Sequence, residues 1–338
     1  DPARYYKGGK PDLQLFDKKL YEVNPDDKVA IARAAAEEVL GKDERIISVD
    51  SSYSDGEGSS YRLISNGFEG ESKSTWFSVS ASVSIKGEGE ARPQDYWYDS
   101  ALFYDKLTKT GIGAKALERV LRKLGQKKAK SGKYTMVVDP MNVGNLLSPM
   151  LSALYGSALQ QKNSFLMDKL DTKVASDLFT LRDEPHAIGA NGSRYFDNEG
   201  VATEPRTVFD KGVLKTYFID TYNGKKMDIA PTISAPSRLI LTPGDKDLNG
   251  LVADIKQGIL VTGFNGGNSN SSTGDFSYGI EGFLIEDGKL TQPVNEMNVT
   301  GNMVTLWNSL VAVGNDPQPN RSWQIPSLVF EGVDFSGL

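Results

Sequence analysis

The chain contains no cysteine and a single histidine, His186. Without cysteine there can be no disulfide, no thiolate metal centre and no thiol nucleophile. The same lack fits a cytoplasmic protein, and that is the expected location. Zinc is held chiefly by Cys and His with some carboxylates, so one His and no Cys cannot build a typical zinc centre. A Ser–His pair could form only through His186. Long hydrophobic runs are missing too. Nothing approaches the roughly 18 apolar residues of a membrane helix, and neither a signal peptide nor a membrane partner is expected. Positive charge is in deficit: the net charge is -6 and the pI is near 5.1. Direct nucleic-acid binding needs a basic surface and is not expected.

What is present is ordinary for a globular protein: 338 residues, 39% hydrophobic and 24% charged. That length can bury a substantial core in one large or two medium domains. Asn24-Pro25-Asp26-Asp27 marks a helix start, with an Asn cap, Pro at the first position and acids at the positive helix end. This helix is expected to run through Val39 and stop at Gly41. Arg45–Tyr53 reads as a strand. Ser74–Ile85 is a clearer one, because Phe77, Val79, Ala81, Val83 and Ile85 alternate with serines. Period two with a hydroxyl face puts one side on a core and the other towards water or a polar partner. Gln94–Tyr104 is expected to pair with it, and Ile112–Leu124 carries a helical apolar stripe. The start of that helix, Gly111-Ile-Gly113-Ala-Lys-Ala116, matches a loose dinucleotide fingerprint, but the residues before it are polar where a hydrophobic strand is needed. A helix with a glycine-flanked start is the plainer reading.

Gly125–Gly132 reads as a linker, which divides the chain into an amino-terminal α+β domain over 1–124 and a β-rich carboxyl-terminal domain over 133–338. Lys133–Asp139 is a strand, and Pro140–Gln161 has helical spacing with Pro149 kinking or starting its main part. Ser176–Arg182, Thr207–Phe209, Val213–Ile219, Ser237–Leu241 and Trp323–Phe330 read as strands, and Leu248–Gln257 as a short helix. From Gly258 to Asp316, short β-rich pieces alternate with Gly, Asn and Ser clusters around an Asp287-Gly288 turn. Asp-Gly between apolar runs is a strong hairpin signal, because both residues must tolerate positive φ. Strands outnumber helices without regular interleaving, so the fold class is α+β: two domains, β-rich, mostly antiparallel sheets with a few helices.

Candidate polar sites are few. His186 lies in a loop, Asp-Glu-Pro-His-Ala-Ile-Gly, where an exposed histidine beside acids is the plain reading and catalysis the sharper one. Asp197 and Glu199 could be a carboxylate pair for acid/base work, although such a run more often makes a turn with an Asx bond. Asp275, in Thr273-Gly274-Asp275-Phe276, is a candidate to border a cleft. Asp245-Lys-Asp247-Leu-Asn249-Gly250 begins like a calcium loop, but its twelfth position is Lys256 rather than a bidentate Glu. A helix start at Asp247 is simpler.

Several blocks resemble one family. GILVTGFNGG, TGDFSYGIEGFLIEDGKLTQPV, VTGNM and VAVGND stand in the order and spacing of the TldD/PmbA family, named for modulation of DNA gyrase. GSRYFDNEGVATEPRTVFDKGVLKTYFIDTYNGKKM and IPSLVFEGVDFSG fit the same family, closest to its PmbA/TldE branch. The likeness is specific from about residue 133 onwards. Family members usually carry more sequence at the amino end, so a chain beginning at Asp1 is expected to be a piece of a longer protein.

In the TldD branch, the helix matching Pro140–Gln161 bears an HExxxH metal motif, with a Cys ligand near the carboxyl end. Here Leu147, Ser148 and Ser152 stand where His, Glu and His would be, and the Cys is missing. The resemblance implies a PmbA/TldE-like subunit of a metallopeptidase assembly acting on peptides. It implies no cofactor in this chain, with zinc or a similar ion only in a TldD-type partner. Partners would be that subunit or a second copy, with a peptide as substrate. Two alternatives stay open: a binding protein that modulates DNA gyrase or its inhibitors, and a stand-alone metal-independent hydrolase using His186.

Overall fold

The Asn24 side chain accepts a hydrogen bond from the Asp27 N–H at 2.9 Å, and Pro25 takes the first helical position of α1 (Pro25–Glu37). Pro has no N–H to leave unpaired there, and its fixed φ is already helical. The computed structural model describes residues 1–338, in two compact units. One comprises Gly9–Gln126 with Ala187–Asn191; the other comprises Asp1–Gly8, Lys127–His186 and Gly192–Leu338. The fold is α+β and β-rich, with mostly antiparallel sheets.

In the amino-terminal unit α1 is followed by β1 (Ile46–Ile64), β2 (Phe68–Ile85), β3 (Gln94–Ala101) and α2 (Ile112–Leu121). The strands form an antiparallel sheet in the order β1-β2-β3. Phe77, Val79, Ala81, Val83 and Ile85 are buried against Ala35 of α1, Val39 just after it, and Ile112, Ala116 and Val120 of α2. The intervening serines bond across the other face: Ser80 to Ser52 at 2.9 Å, and Ser82 accepting from Gln94 Nε2 at 2.8 Å. The hairpin is longer than the apolar alternation indicates. It turns at Asn66-Gly67, and in the continuing pairs of residues 56–64 with 68–76 the only buried apolar side chain of 56–74 is Phe68. Backbone pairing and cross-strand links such as Ser60 to Ser72 at 2.8 Å hold that part, and a hydrophobic period cannot report it.

The start of α2 has a structural role. Glu38 accepts from the N–H groups of Gly111 (2.6 Å), Gly113 (2.8 Å) and Ala114 (3.2 Å). The protein's own carboxylate therefore occupies the anion position at this helix end. A dinucleotide phosphate has no place there. Glu38→Ala should lower the unfolding free energy of this unit by about 1 kcal/mol, the usual scale of a lost cap. Urea unfolding followed by Trp fluorescence measures it, and Glu38→Gln should retain part of the effect.

The carboxyl-terminal unit contains β4 (Gly132–Val138), α3 (Gly144–Ser152), α4 (Gly156–Gln160), β5 (Leu181–Asp183), β6 (Arg206–Asp210), β7 (Val213–Leu214), α5 (Thr221–Met227) and β8 (Leu239–Leu241). There follow α6 (Leu248–Ala253), β9 (Gln257–Ser269), β10 (Asp275–Glu286), β11 (Lys289–Asn302), α7 (Met303–Asn308), β12 (Leu310–Val313), β13 (Trp323–Gln324) and β14 (Leu328–Ser336). The larger sheet runs β11-β10-β9-β4-β14-β12, and β11 also pairs with β14. This second pairing, of Asn298–Thr300 with Asp334–Ser336, closes the sheet on itself. Asp287 and Gly288, at φ 47° and 75°, make the tight turn between β10 and β11. The smaller sheet runs β13-β8-β5-β6-β7. Trp307 sits in the core, its ring 4.4 Å from Phe179 and 5.5 Å from Phe330.

Several expected elements are shorter or divided. Pro140–Gln161 is two helices, because Tyr155 is extended and the Gly156 N–H donates to Phe218 O at 2.8 Å. Ser176–Arg182 is a strand only from Leu181, since the Phe179 N–H turns back to Ser176 O at 2.9 Å. Val213–Ile219 is laddered at its first two residues only. The short helices α5 and α7, capped by Asp220 and Asn302, are too brief for periodicity to mark. From Lys127 onwards the expected linker bonds to this unit: the Lys127 N–H donates to Pro293 O at 3.1 Å, and Ala129 is buried.

Candidate functional site

Helix α3 is two-faced. Leu146, Leu147, Met150 and Leu151 are buried, while Asn145, Ser148 and Ser152 are exposed. Of the three positions that the sequence resemblance sets against a metal motif, Ser148 and Ser152 share the open face, four residues apart. Leu147 is 0% exposed and belongs to the core. Aliphatic and hydroxyl groups do not replace imidazole as metal donors. No group of three or more His, Cys, Asp or Glu side chains able to hold a metal comes together in the chain. The residues present do not fit a resident metal ion.

The start of α3 is fixed by amide and carboxylate groups. Asp139 Oδ1 accepts from Asn142 N–H at 3.0 Å and from its Nδ2 at 2.7 Å. The same Nδ2 donates to Thr262 O in β9 at 2.8 Å. The register of β4 with β9 ends at Val138 opposite Val261. Beyond that point β9 pairs only with β10, so residues 263–269 form a strand with one open edge beside the α3 start. Its tip is tied down by polar groups. Asn302 Nδ2 donates to Thr273 O at 2.8 Å and to Asp275 Oδ1 at 2.9 Å, and Thr273 Oγ1 donates to Asp275 Oδ2 at 2.7 Å. These hydrogen bonds, from Asn302 and then Thr273, hold the Asp275 carboxyl below its usual pKa.

His186, Asp197 and Glu199 form a different neighbourhood. His186 is half-buried rather than exposed: Nε2 lies 3.1 Å from Thr203 Oγ1, and the ring packs against Tyr195. The Thr203 hydroxyl donates to Arg194 O at 2.5 Å, so toward His186 it acts as an acceptor. The hydroxyl within reach of this imidazole is therefore already committed. Asp197 is buried; its Oδ1 accepts from the N–H groups of Glu199 (2.8 Å) and Val201 (3.0 Å), and its Oδ2 from Ser234 N–H (3.0 Å). Glu199 Oε2 accepts from the N–H and the hydroxyl of Thr221, both at 2.9 Å. Each carboxylate organises backbone, and their bonds point to different segments. Asp247 caps α6 through Gly250 N–H at 2.8 Å, which accounts for the calcium-like run.

Sequence reasoning missed the amides Asn142, beside the start of α3, and Asn302, at the tip of β9, and the buried Asp183. Asp183 is 2% exposed. Its Oδ1 accepts from the N–H groups of Ser237 (3.0 Å) and Arg238 (2.9 Å), and its Oδ2 lies 4.0 Å from Arg206 Nε. Burial raises its pKa, against the lowering by those N–H groups and Arg206. Burial likewise lowers that of Arg206. Nothing in the local pattern marks these groups, because their partners are remote in sequence.

Residues 131–337 match the PmbA/TldA metallopeptidase C-terminal domain, and residues 18–124 match the central domain of the same family. A metalloprotease PmbA homolog from Haemophilus influenzae is 30% identical over 97% of this chain and 73% of its own length. The metalloprotease PmbA of Escherichia coli is 28% identical over the same shares. A solved structure from Bacteroides thetaiotaomicron, named for modulation of DNA gyrase, is 73% identical with a TM-score of 0.99, covering 100% of this chain and 77% of that one. TldE from Thermococcus kodakarensis has the same fold, with a TM-score of 0.80 at 22% identity, over 98% of this chain and 78% of that one.

Proposed function

The chain belongs to the PmbA/TldD metallopeptidase family, and from that premise we propose that it is the PmbA/TldE-type subunit of a cytoplasmic peptidase assembly whose metal is carried by a TldD-type partner. The single observation that carries this reading is the open face of α3, where Ser148 and Ser152 stand without an imidazole and Leu147 is in the core. Beside it, the free edge of β9 over residues 263–269 offers backbone donors and acceptors. An extended peptide can add to such an edge through main-chain bonds, largely independent of its side chains. The role of this chain is then to hold and enclose substrate, with bond cleavage in the partner.

The experiment is metal analysis and peptide cleavage with and without a TldD-type partner. The chain alone should carry no stoichiometric transition metal and cleave nothing, and cleavage should appear on mixing. A metal held tightly by the lone chain, or cleavage at full rate without the partner, would sink the proposal. The name of the Bacteroides relative favours a second reading, modulation of DNA gyrase. With a pI near 5.1, that effect would arise indirectly, through peptide degradation, rather than by DNA binding.

A further inference from the structure

Residues 265–268 and 270–273 are exposed, so apolar burial does not hold the outer part of β9 or its tip. The ladder to β10 supports one side only. From the helix side the tip is bonded by the Asn163 side chain and by the backbone of Phe165. Asn163 Oδ1 accepts from Ser271 Oγ at 2.9 Å and also from Ser272 Oγ. The neighbouring Phe165 N–H donates to Ser271 O at 3.0 Å. Asn163 is itself rigidly placed. Lys162 is left-handed at φ 54°, its N–H donates to Leu159 O at 3.0 Å, and Asn163 N–H donates to Ala158 O at 2.8 Å. This is the paired-bond termination of a helix end, and it makes Asn163 an extension of α4.

We propose that Asn163 is a positioning residue that latches the open edge of β9 to the α3–α4 helices, so that the edge is held ready for an extended peptide. The inference rests on the peptide-binding reading of that edge. Its mechanical part is separate: a strand held on one side by a ladder and at its tip by exposed hydrogen bonds opens locally when those bonds go. Neither Gly266 nor Gly267, at φ 71° and 90°, supplies a side chain to resist the motion.

Backbone hydrogen exchange of the intact chain tests it. Asn163→Ala should speed exchange of residues 264–269 on the order of tenfold, with the rest of the unit unchanged. Asn163→Asp keeps the acceptor and should restore slow exchange. Ser271→Ala with Ser272→Ala should reproduce the alanine effect from the other side of the latch. Exchange within twofold of the parent, or a rise spread evenly over the chain, overturns the proposal. In an active assembly with the partner, Asn163→Ala should raise peptide KM several-fold and leave kcat unchanged, whereas a fall in kcat alone would contradict positioning. A parent assembly that cleaves nothing counts against the subunit role, and the exchange comparison still decides the latch.

Discussion

Replacing Gly113 by alanine should destabilise the amino-terminal unit by about 3 kcal/mol, the upper range for overpacking. A Cβ built on Gly113 would lie 1.9 Å from Ala35 O and 2.9 Å from a Val39 methyl carbon. The obstructing carbonyl is backbone of α1, so it cannot swing aside as the end of a long side chain could. Helix propensity acts the other way, since alanine is favoured over glycine by about 1 kcal/mol inside a helix. The clash should win, because α1 and α2 must separate to relieve it and both pack on one sheet. Thermal unfolding is expected to fall by roughly ten degrees for a unit of this size. Gly111→Ala is the control: its φ is 78° with open space around it, so only the left-handed strain of about 1 kcal/mol applies. If both variants melt alike, the close approach of the helices is wrong.

The second large effect is expected at Asp95. This carboxylate is 6% exposed and lies between two cations, with Oδ1 3.2 Å from Arg119 Nε and Oδ2 3.2 Å from Lys123 Nζ. Lys123 is itself 8% exposed and also donates to Gln94 O at 2.9 Å. Asp95→Ala takes the anion from buried Lys123 and half-buried Arg119 and should cost about 3 kcal/mol, the lower end for a broken buried pair. The intact triad is not therefore a large net stabiliser, because desolvation of the ions offsets their attraction. Replacing all three by apolar residues of similar volume should recover most of the loss. Denaturant unfolding of the single and triple variants separates the two statements. A single variant within about 1 kcal/mol of the parent would show that the triad is hydrated rather than dry.

The candidate site was legible in the sequence to the extent that it depends on residue type. Leu147, Ser148 and Ser152 exclude a typical metal helix by chemistry alone. That Leu147 faces the core while the two serines face outwards could be read only once α3 was packed. His186 shows the reverse limit. Its loop reads as exposed, yet Thr203 and Tyr195 enclose it, and both lie later in the chain.

By itself the sequence determined the family, the α+β class, the strand Phe77–Ile85 and the cap at Asn24, because these follow from local alternation, turn chemistry and side-chain type. Only the tertiary structure decided that β11 meets β14 and closes the sheet, that Glu38 fills the start of α2, and that β9 keeps an open edge beside α3. Such features join residues dozens to hundreds of positions apart. A period of two or 3.6 residues describes which face of an element is apolar, and it does not describe which element that face meets.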